Sequence, residues 1–285
     1  MAEIFGSDAY SPDKIAERVE NVGVAKAGLP LLPMIALGVL AGGFIGLGAL
    51  FATLVASDAS LGFAATRVLG GVAFSLGLIL VVVAGAELFT GNNLLVMAWV
   101  ARRISTTKLL KNFAVVFLAN LAGALGLALL VYWSGHWKMA GGAVGHTAVA
   151  IAAAKVTLPF AEAFVRGILC NVLVCLAVWL AAAGRSVADK ILAIVFPIAA
   201  FVAAGFEHCV ANMYFIPLGI LLRAQGVGAD VPGLDHLNWA GFAHNMLPVT
   251  IGNVVGGSVM VGLVYFAVYR LGSKPGAVAS PPNPP

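Results

Sequence analysis

Residues 205–212 read GFEHCVAN, with a glutamate and a histidine side by side in the middle of a long apolar run. Residues 85–92 read GAELFTGN, again inside an apolar run. Both stretches open with Gly, continue Gly-x-Glu, and close on Asn at the same offset. Ionisable groups inside a membrane span are expensive and usually functional. Freed backbone groups at a helix interruption must also be satisfied inside the bilayer. The paired pattern therefore predicts two broken helices at equivalent places in a duplicated fold.

The surrounding chain has 285 residues, 61% of them hydrophobic and 10% charged. A soluble domain carries about 25% charged residues, so the composition specifies an integral membrane protein. A span needs about 20 mainly apolar residues. Segments that qualify lie near 31–56, 67–99, 109–133, 158–183, 187–222 and 241–270. The second and fifth hold the two octapeptides and are too long and too interrupted to be simple helices. With the N-terminus inside, eleven Lys and Arg fall on the inner side, against Arg67, Lys138, Lys155 and Arg223 outside; Arg166 lies within the fourth span. That bias predicts a multi-pass protein of the cytoplasmic (inner) membrane with both termini cytoplasmic. The first residues, MAEIFGSDAY, show neither the basic nor the apolar region of a cleavable signal.

The repeat extends beyond the octapeptides. The third span contains ANLAGALGLALLVYW (119–133) and the sixth GNVVGGSVMVGLVYF (252–266), aligning Asn120 with Asn253 and Gly123 with Gly256. Three-span units repeated once must run in opposite senses, because three is odd. The fold class is thus an all-α integral membrane protein of six spans, an inverted three-plus-three repeat with spans two and five interrupted. Three parts are expected: 1–30 as a cytoplasmic amphipathic N-terminal helix, 31–270 as the transmembrane domain, and 271–285 as a disordered Pro-rich cytoplasmic tail. In the first part, Ser11 and Pro12 make a helix start, and Ile15, Val19 and Val22 recur at helical spacing. That helix either lies on the membrane face or is a solvated leader.

The polar residues of the spans divide by symmetry. Glu87 and Glu207 are equivalent, as are Asn92 and Asn212, so scaffolding is the favoured role. The glutamates are expected to accept backbone N–H bonds at the breaks and the asparagines to brace them. His208 faces Leu88 in the other half and is the one histidine inside a span, which suits a proton donor or acceptor for a substrate. The bland alternative is a ring satisfied by nearby carbonyls. A metal role is not expected: Cys209 points about 100° away on a helix, and no second histidine lies at ligand spacing. Cys170, Cys175 and Cys209 are odd in number and apolar in setting, hence structural thiols. Glu162 and Arg166 stand four apart, a helical ion pair. Lys155 reads either as a snorkelling lysine or as an anion attractor at a pore mouth. Thr90 falls in the break of span two and could face a pathway. Asn171, Asn120 and Asn253 suit helix-to-helix hydrogen bonds.

The segments FSLGLILVVVAGAELFTGNN (74–93), KVTLPFAEAFVRGILCNVLVCLAVWLA (155–181), GRSVADK (184–190), FPIAAFVAAGFEHCVANMYFIPLGI (196–220) and LPVTIGNVVGG (247–257) together resemble the formate/nitrite transporter family over residues 12 to 270. The resemblance implies an aquaporin-like protomer in a homopentamer, each protomer with its own pore and lipid filling the central hole. It implies passage of small monovalent weak-acid anions: formate, nitrite or hydrosulfide. By motif it makes His208 the pore histidine and Thr90 the threonine of the span-two loop. Phe74, Leu78 and Phe201 become one set of constriction residues, Leu88 and Val210 the other. Lys155, Asn171 and Asn253 become the polar residues of the vestibules. Cys209 stands where the family has serine. FSLGLIL, GRSVADK and PVTIGNVVGG lean towards formate channels and AELFTG towards nitrite channels.

The reading is therefore a passive or proton-linked channel in which His208 protonates the substrate between two hydrophobic constrictions. A nitrite or hydrosulfide channel and a strictly proton-coupled transporter are the alternatives. An enzyme or cofactor-bearing subunit is disfavoured by a single buried histidine without paired ligands and by the lack of a nucleotide loop. No cofactor or nucleic-acid partner is expected. An aquaporin is disfavoured because the sequence lacks an Asn-Pro-Ala repeat.

Overall fold

The computed structural model describes residues 9–271, so the expected Pro-rich tail lies outside the described residues. Among them every regular element is helical. A short helix α1 (Pro12–Ala27) leads into the first span α2 (Leu31–Ala56). Span two begins as α3 (Phe63–Ala84), breaks, and resumes as the short helices α4 (Phe89–Asn92) and α5 (Val96–Val100). Span three is α6 (Thr106–Ser134). A further short helix, α7 (Ala143–Val156), precedes span four, α8 (Phe160–Ala183). Span five is α9 (Val187–Ala204), a break, then α10 (Cys209–Arg223). Span six is α11 (Trp239–Val254), a π-helical stretch Val255–Leu263, and α12 (Val264–Tyr269). Six helical segments are long and apolar enough to cross a membrane, so the chain is a multi-pass membrane protein.

The duplication is visible in the packing. α2 packs on α3 and α6, as α8 packs on α9 and α11, and α3 against α9 joins the halves. Close approach is set by glycine at matching places. A Cβ on Gly123 would overlap the Val39 carbonyl of α2, and one on Gly256 would overlap the Ile168 carbonyl of α8. Small residues let backbones meet in this way where lipid supplies no hydrophobic drive for helix association.

The repeat is larger than three spans. α1 and α7 are counterparts: each is a short helix whose last turn carries a lysine, Lys26 or Lys155, just before a Leu-Pro and the next span. α1 packs on the body of the protein. Its apolar face, Ile15, Ala16 and Val19, is buried against Met97, Trp179, Val261 and Phe266 of the same chain. Glu20 on that face is 2% exposed and is held by Arg103 and Arg270, each at 2.9 Å.

Both breaks have one geometry. Gly85 (φ 81°) and Gly205 (φ 75°) end the first halves of spans two and five in the left-handed region that glycine adopts at least cost. Three non-helical residues follow, 86–88 and 206–208, the last of each extended, before the second halves start at Phe89 and Cys209.

Candidate functional site

An interrupted helix exposes N–H and C=O groups that lipid cannot satisfy. Here asparagines, not the glutamates, satisfy them. Asn120 Nδ2 donates to the carbonyls of Gly38 (2.8 Å) and Glu87 (2.9 Å), and its Oδ1 accepts from Phe89 N (2.9 Å). Asn253 Nδ2 donates to the carbonyls of Gly167 (2.7 Å) and Glu207 (2.9 Å), and its Oδ1 accepts from Cys209 N (2.9 Å). Each asparagine clamps the peptides on both sides of one residue: Leu88 in the first break, His208 in the second.

The glutamates do a different job. Among the described residues neither carboxylate accepts a backbone N–H, contrary to the sequence expectation. Glu87 pairs with Lys26 Nζ at 3.0 Å and accepts from Asn92 Nδ2 at 2.8 Å. Glu207 pairs with Lys155 Nζ at 2.8 Å and accepts from Asn212 Nδ2 at 2.7 Å. Asn92 and Asn212 donate onward to Asn112 Oδ1 and Asn245 Oδ1. A buried charge is tolerated only when paired and hydrogen-bonded, and each network meets that condition with a lysine, a glutamate and two asparagines.

Lys26, Asn112 and Asn245 escaped the sequence reading, although a signal exists. KAGLPLLPMIALG (26–38) aligns with KVTLPFAEAFVRG (155–167) on Lys, Leu-Pro and Gly, and KNFAVVFLANLAG (111–123) with HNMLPVTIGNVVG (244–256) on two Asn and a Gly. Lys26 was hidden because a lysine before a span is an ordinary interfacial residue until its carboxylate is seen.

Between the networks lies the His208–Thr90 pair, 3.0 Å from Nε2 to Oγ1, with Thr90 fully buried and His208 3% exposed. His208 Nδ1 accepts the N–H of Ala211 at 3.1 Å, so the ring also caps α10. A backbone N–H can only donate; the ring hydrogen is therefore on Nε2, which donates to Thr90. Thr90 itself lines neither of the two cavities on either side.

Two cavities approach this pair from opposite ends. One, about 320 Å³, is lined by Lys155, Arg67, Arg166, Phe74, Phe201 and His208. The other, about 360 Å³, is lined by Lys26, Arg18, Lys190, Leu78, Leu88 and Glu87. Phe74 and Phe201 meet edge to face with centroids 5.6 Å apart, and Phe201 stacks on His208 at 5.9 Å. Leu78, one turn along α3 from Phe74, belongs to the Lys26 side together with Leu88. Val210 is fully buried and lines neither cavity. Asn171 and Asn253 also line neither cavity; Asn171 Nδ2 ties the carbonyls of Asn253 (2.7 Å) and Thr90 (3.3 Å) together. The three cysteines are buried free thiols.

The formate/nitrite transporter family model matches residues 13–267. The chain belongs to that family. It is similar to the formate channel FocA of Escherichia coli K12, 41% identical over 271 residues, covering 92% of this chain and 95% of that one. Two solved structures of the family's fold match it as well. A pentameric formate channel with formate bound superposes with TM-score 0.75 at 36% identity, covering 84% of this chain and 97% of that chain. An FNT family ion channel superposes with TM-score 0.77 at 31% identity, covering 90% and 98%.

Proposed function

We propose that the chain is a channel for formate and related small monovalent weak-acid anions, working as a homopentamer in the cytoplasmic membrane with both termini inside. The observation that carries this reading is the buried Thr90–His208 pair, set between two cation-bearing cavities and flanked by apolar side chains on either side. The relatives named as formate channels, and the pentameric formate channel among the solved structures, point the same way. The relatives carry names of channels and transporters, in keeping with a conduit rather than a catalyst. Large apolar side chains left uncovered on the protomer, such as Leu118, Leu130, Trp133 and Phe196, suit contact with lipid and with neighbouring subunits.

The physical difficulty is the apolar stretch. A bare carboxylate between Phe74, Phe201, Leu78 and Leu88 would lose its hydration without recompense, whereas the neutral acid would not. An anion reaching the pair competes with Thr90 Oγ1 for the Nε2–H of His208. For His208 to hand over a proton and remain a neutral ring, it must first become imidazolium. That requires a proton on Nδ1, where Ala211 N–H now donates, so proton transfer is coupled to release of the α10 cap. In the first half Leu88 occupies the corresponding place, so the exchange happens once along the path.

The test is labelled-anion flux in proteoliposomes at two pH values, comparing formate, nitrite and hydrosulfide. Wild type should pass formate fastest, and His208→Ala should lose the pH dependence. An unchanged rate and pH profile in His208→Ala would sink the proton role; a preference for nitrite or hydrosulfide would replace formate.

A further inference from the structure

Each cavity holds a lysine, but Lys155 is not the group that supplies uncompensated positive charge on its side. Its ammonium is 2.8 Å from Glu207, and the two side chains are 13% and 5% exposed, so the pair is close to neutral as seen from the cavity. Arg166, also in the lining, is tied to Glu162 at 3.0 Å. Arg67 is different. Its Nε donates to the Ala203 carbonyl (2.9 Å) and its Nη2 to the Val202 carbonyl (3.1 Å), and no carboxylate pairs with it among the described residues.

Those two carbonyls are in the last turn of α9: the Val202 carbonyl also accepts the Gly205 N–H at 3.1 Å, whereas the Ala203 carbonyl loses its helical donor because Glu207 N turns to the Arg166 carbonyl. The guanidinium fits there because residue 205 is glycine: a Cβ on it would stand 2.8 Å from Nη2. The carbonyls hold one edge of the planar fork, and the remaining N–H donors are free to address the cavity that the side chain lines. A fixed guanidinium with spare parallel donors suits a planar carboxylate, which it can bind through both oxygens.

We infer that Arg67 is the anion-receiving residue of the Lys155-side cavity, a subsite for small carboxylates that precedes the His208–Thr90 pair. It rests on the channel reading above. Phe201 directly precedes Val202, so the same guanidinium that receives the anion also fixes the end of α9 beside the Phe74–Phe201 contact. The Lys26-side cavity has no guanidinium in the same place: residue 187, the counterpart of Arg67, is valine, Arg18 of that lining sits over the Tyr10 ring, and among the described residues Lys190 makes no hydrogen bond or ion pair through its ammonium.

The experiment is the concentration dependence of labelled-formate uptake by wild type, Arg67→Gln and Arg67→Lys in proteoliposomes at low and high salt. Loss of one unit charge acting across about 6 Å of water-like to half-water-like dielectric raises the half-saturating concentration roughly three- to tenfold. Arg67→Gln should show that rise, a larger change than in its limiting flux, and a flatter response to salt. Arg67→Lys should recover most of the salt response, since it keeps the charge. The inference is overturned if Arg67→Gln leaves half-saturation unchanged. It is equally overturned if Gln and Lys variants lose limiting flux alike with half-saturation intact, because Arg67 would then serve only as a helix cap. If wild type passes another anion in place of formate, the substrate assignment fails on its own, and the ratio of Arg67→Gln to wild type for the anion that passes still decides the role of Arg67.

Discussion

Replacing Asn253 by leucine should destabilise the protomer and disturb the pore at once, and the structure sets both magnitudes. The side chain is fully buried and makes three bonds, to Gly167, Glu207 and Cys209. Gly167 lies within α8, so its carbonyl keeps its helical partner when the asparagine is gone. The Glu207 carbonyl and the Cys209 N–H flank the break and keep none. Two orphaned buried groups cost about 1–3 kcal/mol each. Polar contacts between membrane helices average about 0.6 kcal/mol and reach about 1.7, because the unfolded chain in lipid also finds partners. The lower end of the first range therefore applies, and the expected loss is about 2–3 kcal/mol.

Asn120→Leu orphans the Glu87 carbonyl and Phe89 N–H in the same way, so its cost should agree within about 1 kcal/mol. The two variants part company in transport. Asn253 holds the peptides on either side of His208, and Asn120 holds those on either side of Leu88. Asn253→Leu should change the pH dependence of flux, whereas Asn120→Leu should lower flux without altering its pH profile. Stability is read by unfolding in mixed micelles followed by tryptophan fluorescence, and flux by labelled formate in liposomes. A loss below about 0.5 kcal/mol for Asn253→Leu, or identical pH profiles for the two variants, would refute the clamp.

Breaking one network from one side should show the cost of an unpaired buried charge. Glu207→Ala alone is expected to lose about 3 kcal/mol, since Lys155 is left buried, while the double variant with Lys155→Met should recover a large part of it; a double variant as unstable as the single one argues against the pairing. For the α1 anchor, Glu20→Ala removes the carboxylate shared by Arg103 and Arg270. With Arg103 partly solvated, the loss is about 1–2 kcal/mol, hence roughly 5- to 30-fold faster tryptic cleavage at Arg18 or Lys26; unchanged cleavage would show that the apolar face alone holds the helix.

The architecture was legible because its signals are local and doubled. Apolar runs gave six spans, and the repeated Gly-x-Glu with a trailing Asn gave the breaks, since a glycine ending a half-helix and polar groups within lipid both need a reason. The symmetry of Asn120 with Asn253 was legible for the same cause, but not which backbone groups they hold, because three-dimensional partners come from α2 and α8. The assignment of backbone bonds to the glutamates failed on that point: a carboxylate beside a break looks like a cap until a lysine from another helix claims it. The place of α1 was lost for a related reason. Its amphipathic pattern is compatible with lipid, water or protein, and only its correspondence with α7 shows it to be the opening helix of a repeat. Lys26 went unmarked with it. The division of Leu78 from Phe74 could not be read either, because one helical turn separates the two cavities.

The two halves share almost every polar group that holds the breaks open: glycine at the turn, glutamate on lysine, asparagine on asparagine, and asparagine on the backbone. What is shared in this way cannot tell one end of the path from the other. Direction-neutral scaffolding of this kind leaves the chemistry to the places where the repeat departs from itself. At the centre the departure is His208 opposite Leu88, and at the mouths it is Arg67 opposite Val187. A symmetric frame that supplied a histidine in both halves would put two titratable rings in one apolar stretch, each disfavouring charge on the other. One ring with a threonine as partner avoids that conflict, so a single proton-handling step of the kind proposed would itself require the sequence difference at 88 and 208.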